Sequence, residues 1–274
     1  MTGSIMEHKQ YPTPSGAVHY WVDRTAGEQA PWLVLLPGLT ADHSTFEPQF
    51  SFFSGRANLL SWDAPAHGLS RPFALDFSID DMARMLHDIF EAERIAAPVF
   101  AGQSLGGYIA QAYIDLFPGS AGGFISIDSA PLKRVYYPNW EVALLRHTLG
   151  IYLCVPWALL KPWGAHGAAR SEEGRAQMRR FIDSYHKREY CELVAHCYAK
   201  LADAIDERRP YEIDCPALLL CGEKDSLGDV KPFNRKWTEG DGIPLVWVPG
   251  AGHISNADNP DFVNAQIEGF IGLV

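Results

Sequence analysis

The sequence predicts an α/β protein: a mostly parallel sheet, helices on both of its faces, and a helical insertion over the sheet's carboxyl edge. Three observations carry this. Short apolar runs alternate with longer amphipathic segments, the pattern of parallel strands joined by crossover helices. The runs are rich in Val, Ile, Leu and Phe, as strands covered on both faces must be. From Leu132 to Pro210 that rhythm stops, and the chain reads as consecutive helices with no strand among them.

The expected strands are Trp32 to Leu36, Asn58 to Trp62, Val99 to Ala101, Phe124 to Ile127, Ala217 to Cys221 and Leu245 to Val248, with Gly16 to Arg24 as an antiparallel edge strand. Ser78 can cap a helix in which Met82, Met85, Leu86, Ile89 and Phe90 recur at helical spacing. A second helix follows Ser104, with Ile109, Ala110, Tyr113, Ile114 and Phe117 inward. The last starts near Pro260, a favoured first-turn residue, and buries Phe262, Val263, Ile267, Phe270 and Ile271. In the insertion, Met178, Phe181, Ile182 and Tyr185 mark one helix. Residues 1–131 and 211–274 are therefore expected to form one core domain, and 132–210 a cap inserted in it, above the edge where ligands bind in open α/β sheets.

Composition bounds the function. Of 274 residues, 47% are hydrophobic and 20% charged, enough apolar surface for a large buried interior. A net charge of -10 argues against nucleic acid as a partner, because phosphate binding needs a concentrated basic surface. Met1 to Lys9 shows no apolar signal core. The longest apolar stretch, Leu149 to Leu160, is too short to span a bilayer and contains Pro156. A soluble, cytoplasmic protein is expected. Five cysteines, Cys154, Cys191, Cys197, Cys215 and Cys221, form no Cys-x-x-Cys pair, which points to reduced thiols rather than a disulfide framework or a zinc site. Cys191 and Cys197 flank His196, but as helical packing positions rather than metal ligands.

Chemistry enters at Gly102-Gln103-Ser104-Leu105-Gly106, which follows a buried strand and opens a helix. A serine on this bend sits in a strained backbone with its hydroxyl exposed, while the glycines let strand and helix approach closely. A neutral hydroxyl is a poor nucleophile and needs a base within hydrogen-bonding reach. His253, in Gly250-Ala251-Gly252-His253 between the last strand and the last helix, stands on a loop able to supply it. Asp225, in the loop beyond Cys221, can hold the other ring nitrogen and stabilise the imidazolium. Asp128, at the end of the preceding strand, and Glu223, in the same loop as Asp225, are the alternatives; Asp225 is better spaced beyond its strand. For an oxyanion, the expected donors are the backbone N–H groups of Leu105 and of Leu39, in Leu36-Pro37-Gly38-Leu39-Thr40.

Taken together, Ser104 in its bend, Pro37-Gly38-Leu39, Asp63-Ala-Pro-Ala-His67-Gly-Leu-Ser70, Gly222 with Asp225, and Gly252-His253 resemble the α/β-hydrolase superfamily, over nearly the whole chain except the insertion. The chain order nucleophile, acid, base is the one that fold uses. The resemblance implies a mostly parallel sheet of the eight-stranded type, with Asp63 to Ser70 as a structural turn and His67 not catalytic. Many relatives carry His-Gly where this chain has Pro37-Gly38, a change that keeps the backbone donor and removes any histidine contact to substrate. Ser104 in place of an aspartate speaks against a dehalogenase.

No phosphate loop, dinucleotide fingerprint or His-Glu-x-x-His motif is present, so no cofactor and no metal are implied. The expected activity is hydrolysis of a small carboxylic ester or related acyl compound through an acyl-serine. The same triad on a lactone, a thioester or a carbon–carbon bond is the alternative, and a non-catalytic ligand-binding module the third reading. Tyr136, Tyr137, Trp140, Tyr152, Trp157, Trp163, Tyr185 and Tyr190 offer aromatic surface for an apolar pocket, though most of these rings are expected to be packing residues. Residues 132–210 carry thirteen Lys and Arg against nine Asp and Glu, while the remainder carries ten against twenty-four. That asymmetry predicts substrates with an anionic group.

Overall fold

A computed structural model of the chain describes residues 6–272. The first five residues, on which the expectation of no signal sequence rests in part, lie outside the described residues. Strands β1 (Glu7–Thr13), β2 (Gly16–Asp23), β3 (Trp32–Leu36), β4 (Asn58–Asp63), β5 (Val99–Gln103), β6 (Gly123–Ile127), β7 (Ala217–Gly222) and β8 (Leu245–Val248) make one sheet in the order β1-β2-β4-β3-β5-β6-β7-β8. From β4 to β8 every neighbouring pair is parallel, whereas β2 is antiparallel to both β1 and β4.

The helices are α1 (Glu47–Phe53), α2 (Ile79–Glu93), α3 (Leu105–Leu116), α4 (Asn139–Leu145), α5 (Thr148–Cys154), α6 (Trp157–Ala168), α7 (Glu172–Asp183), α8 (Lys187–Asp206), α9 (Val230–Asp241), α10 (Ser255–Asp258) and α11 (Pro260–Ile271). Ser78 caps α2 as the sequence suggests: its hydroxyl accepts the Asp81 N–H, and the Asp81 carboxylate takes the Ser78 N–H in return. Asn259 caps α11, with Pro260 in its first turn.

Because successive side chains of a strand point to opposite faces, each parallel strand feeds two cores. Val34, Leu36, Leu60, Trp62, Phe100 and Phe124 pack on one face with Met82, Leu86, Ile109 and Tyr113. Leu33, Leu35, Leu59, Val99, Ile125 and Ile127 pack on the other with Phe50, Val263 and Ile267. Burial on both sides explains why these strands read as continuous apolar runs.

The edge assignment needs correction. The strand expected at Gly16 to Arg24 lies one place inside the sheet, and the edge belongs to β1, whose sequence Glu-His-Lys-Gln-Tyr-Pro-Thr has no apolar alternation to reveal it. Five helices, α4 to α8, lie between β6 and β7.

The sheet order reverses about β3, which has β4 on one side and β5 on the other. Ligand crevices open beyond the carboxyl ends of strands at such a switch point. Leu39 follows β3 and Ser104 follows β5, so both flank it.

Candidate active site

Ser104 adopts φ 49°, ψ -112°, a conformation that costs an L-residue on the order of 1–3 kcal/mol. Its N–H donates to the Ile127 carbonyl at 2.9 Å, anchoring the bend to β6. Gly102 and Gly106 make the bend possible: a Cβ on Gly102 would lie 2.5 Å from the Gly106 carbonyl oxygen, and one on Gly106 would collide with the Leu36 carbonyl. Helix α3 starts at Leu105, which leaves the serine hydroxyl above the helix N-terminus.

The loop after β8 brings His253 to that hydroxyl, with His253 Nε2 2.9 Å from Ser104 Oγ. The main chain of His253 is gripped at both ends: its N–H donates to the Ala168 carbonyl at 2.7 Å, and its carbonyl accepts from Gln103 Nε2 at 2.6 Å. Nδ1 lies 2.9 Å from Asp225 Oδ2, and Asp225 Oδ1 takes the Leu227 N–H at 2.9 Å. With Nδ1–H donating to the buried Asp225, Nε2 is left as the acceptor for the serine proton. Burial opposes the imidazolium, but the Asp225 hydrogen bond and the charges of Asp225 and Asp128 outweigh it, so the His253 pKa is raised above the ordinary histidine value.

The alternatives for the acid are occupied elsewhere. Asp128 is fully buried at the end of β6, where Oδ1 accepts from the Gly222 N–H and the Ser255 hydroxyl, and Oδ2 from the Ser255 N–H, at 2.7–2.8 Å. Burial first, then the Asp225 charge, raise its carboxyl above the ordinary carboxylate range, against the pull of His253 and the Ser255 donors. Glu223 is exposed and accepts the Gly250 N–H. Asp128 thus ties the β6, β7 and His253 loops together without touching the ring.

Leu39, Leu105, Ser104 and His253 all border a cavity of about 300 Å³. Among the described residues, no protein acceptor takes the N–H of Leu39 or Leu105. Helix α8 presents Tyr190, Val194, Cys197, Tyr198 and Leu201 to the cavity at helical spacing; Tyr152 comes from α5, and Leu160 and Trp163 from α6. Of the eight aromatic residues expected as candidates, Tyr152, Trp163 and Tyr190 line the wall. Tyr108 and Tyr198 are additions that the sequence reading lacks, although the i, i+4, i+8 spacing of residues 190, 194 and 198 is a legible signal. Among the described residues, no Lys or Arg borders the cavity. The basic side chains of residues 132–210 thus stand outside the cavity wall, Arg170 among them, which hydrogen-bonds the Lys224 carbonyl and Ser226 Oγ on either side of Asp225.

His67 is fully buried, with Nδ1 on the Pro65 carbonyl, and burial pushes its pKa down to about 4. Cys197 faces the cavity, and its thiol is pushed up to about 12 by burial. His196 Nε2 bonds the Phe77 carbonyl instead.

Residues 33–266 match the model of the Alpha/beta hydrolase family. A hydrolase from Pseudomonas aeruginosa PA01 superposes with a TM-score of 0.80 at 16% identity, covering 99% of this chain and 100% of that one. The enol-lactonase from Burkholderia xenovorans LB400 gives 0.75 at 20% identity, covering 96% and 100%. The magnesium-chelatase 30 kDa subunit of Rhodobacter capsulatus is 32% identical over 96 residues; that match spans 35% of this chain and 34% of that protein. Among the described residues, no helix is long and apolar enough to cross a membrane.

Proposed function

Because the chain belongs to the alpha/beta hydrolase family, we propose that it is a serine hydrolase that cleaves a small, neutral carboxylic ester, or a related acyl compound, through an acyl-Ser104 intermediate. The observation that carries this reading is the run of contacts Ser104 Oγ to His253 Nε2 and His253 Nδ1 to Asp225 Oδ2, each 2.9 Å.

In this mechanism His253 takes the Ser104 proton as Oγ attacks the acyl carbon, and Asp225 stabilises the imidazolium that results. The N–H groups of Leu39 and Leu105 receive the oxyanion, each such donor contributing on the order of 2.7–4 kcal/mol. His253 then returns its proton to the leaving alcohol, and water, deprotonated by the same ring, releases the acid. Residues 132–210 act as a cap domain on the core formed by 1–131 and 211–274. A cavity near the lower end of the usual range for ligand pockets fits a small substrate. Five free cysteines support a reducing, cytoplasmic setting.

A fluorophosphonate probe is expected to add once to the protein, read by intact mass; an unlabelled protein would reject the serine-hydrolase reading and favour a ligand-binding module. In a panel of p-nitrophenyl esters, neutral acyl groups should exceed carboxylate-bearing ones of matched size by about 10-fold or more in kcat/KM, because a charge entering an apolar wall finds no partner. Equal constants would remove the neutral-substrate claim. Lactones, thioesters and diketones in the same panel identify the bond.

The acid limb of kcat/KM is also fixed in sign. The base must be neutral to accept a proton, and its pKa is raised. Activity should therefore fall, as pH decreases, with a midpoint above the value of about 6.5 for a free imidazole. A midpoint below that value would contradict the Asp225–His253 coupling.

A further inference from the structure

The turn joining α6 to α7, residues 168–171, touches both loops of the proposed catalytic set. Besides the Ala168 carbonyl on the His253 N–H, the Arg170 and Ser171 N–H groups and the Ser171 hydroxyl donate to the Asp258 carboxylate at 2.7–3.0 Å. The same carboxylate takes the N–H of Gly252, the residue before His253, at 2.7 Å. On the other side, Arg170 Nη2 donates to the Lys224 carbonyl at 2.9 Å and to Ser226 Oγ at 2.7 Å, the two sequence neighbours of Asp225. Arg170 Nη1 donates to the His166 carbonyl at 2.6 Å, so α6 braces the guanidinium.

We propose that Arg170 is a positioning residue that holds the Asp225 loop from the helical segment, so that helices α6 and α7 complete the proposed catalytic set as well as walling its cavity. This rests on the reading of Ser104, His253 and Asp225 as a triad. Arginine is chemically suited to such a hold, since a guanidinium presents several donors in one rigid plane, and two of its acceptors bracket the carboxylate to be held. Asp258 does the corresponding work on the His253 loop through Gly252. A catalytic carboxylate displaced by about 1 Å can cost on the order of 100-fold in rate, so two hydrogen bonds on its flanking residues bear directly on turnover.

The test measures kcat and KM for a p-nitrophenyl ester in the wild type, in Arg170→Ala, in Asp225→Asn and in the double variant. Arg170→Ala is expected to lower kcat by roughly 10- to 100-fold with KM changed by no more than about twofold. In the Asp225→Asn background the same substitution should change kcat by less than about threefold, since the residues act through one another. Unchanged kcat in Arg170→Ala overturns the proposal, and so does a full drop that persists in the Asp225→Asn background. Should Arg170→Ala fail to fold, Ser226→Ala decides: it removes one acceptor without disturbing α6 or α7, and a reduced kcat at unchanged KM supports the role while an unchanged kcat overturns it. Arg179→Ala, on the exposed side of α7, serves as the unaffected control. A wild type that takes no fluorophosphonate defeats the hydrolase reading itself, whereas a labelled wild type indifferent to Arg170 defeats the positioning role alone.

Discussion

Replacing Ser104 with alanine is expected to lower kcat toward an activated ester by about 10⁶-fold and to abolish fluorophosphonate labelling, with the fold retained. The size follows from the role proposed for the hydroxyl. Without it the imidazole has no proton to accept, no covalent intermediate forms, and the binding pocket and backbone donors are left to act on water alone. In a comparable triad those remnants still give about 10³–10⁴ over the uncatalysed rate, so residual turnover should be detectable. Stability should change little. The hydroxyl makes one side-chain contact, to His253, and alanine meets the same backbone constraint at φ 49° that serine does. Far-UV circular dichroism and the melting temperature check the fold; the ester assay checks the chemistry. Retention of more than about a tenth of wild-type turnover in a folded variant would place the nucleophile elsewhere.

How legible the molecule is in its sequence depends on the scale at which each feature is encoded. Strands buried on both faces announce themselves as apolar runs, and Trp32–Leu36, Asn58–Asp63 and Leu245–Val248 are readable to within a residue. The serine bend is readable because its demands are local: Gly102 and Gly106 are required by atoms within one turn of chain, together with the Leu36 carbonyl next door. Strand β1 is not, since an edge strand with polar residues on both faces carries no periodic signal. Helix α9 escapes for a related reason: Pro232 and Gly240 interrupt a pattern in which Val230, Phe233 and Trp237 are buried at helical spacing. Arg170 and Asp258 lie beyond sequence reasoning altogether. Nothing near either residue in the chain announces a partner 54 or 88 positions away.

The identity of the acid separates most sharply under substitution. Asp225→Asn is expected to reduce kcat by up to about 10⁴-fold at neutral pH, because the amide presents an N–H where His253 Nδ1–H needs an acceptor and forces the other tautomer, leaving Nε2 protonated and unable to take the serine proton. Asp128→Asn should act by a different route. Its oxygens accept three donors from Gly222 and Ser255, and an amide nitrogen turned toward any of them leaves a buried group unpaired, at about 1–3 kcal/mol of stability. That variant should melt earlier while keeping much of its turnover at temperatures where it is folded. Sequence offers both carboxylates in the same grammar, each just past a buried strand. What distinguishes them is occupancy: Asp225 has an oxygen directed at the ring, and Asp128 has both committed to backbone and hydroxyl donors. If Asp128→Asn lost turnover as severely as Asp225→Asn without losing stability, the roles assigned to the two residues would have to be exchanged. The pH profile adds a second readout, since removal of the Asp225 charge takes away the attraction that lifts His253 and should move the acid limb of any residual activity downward.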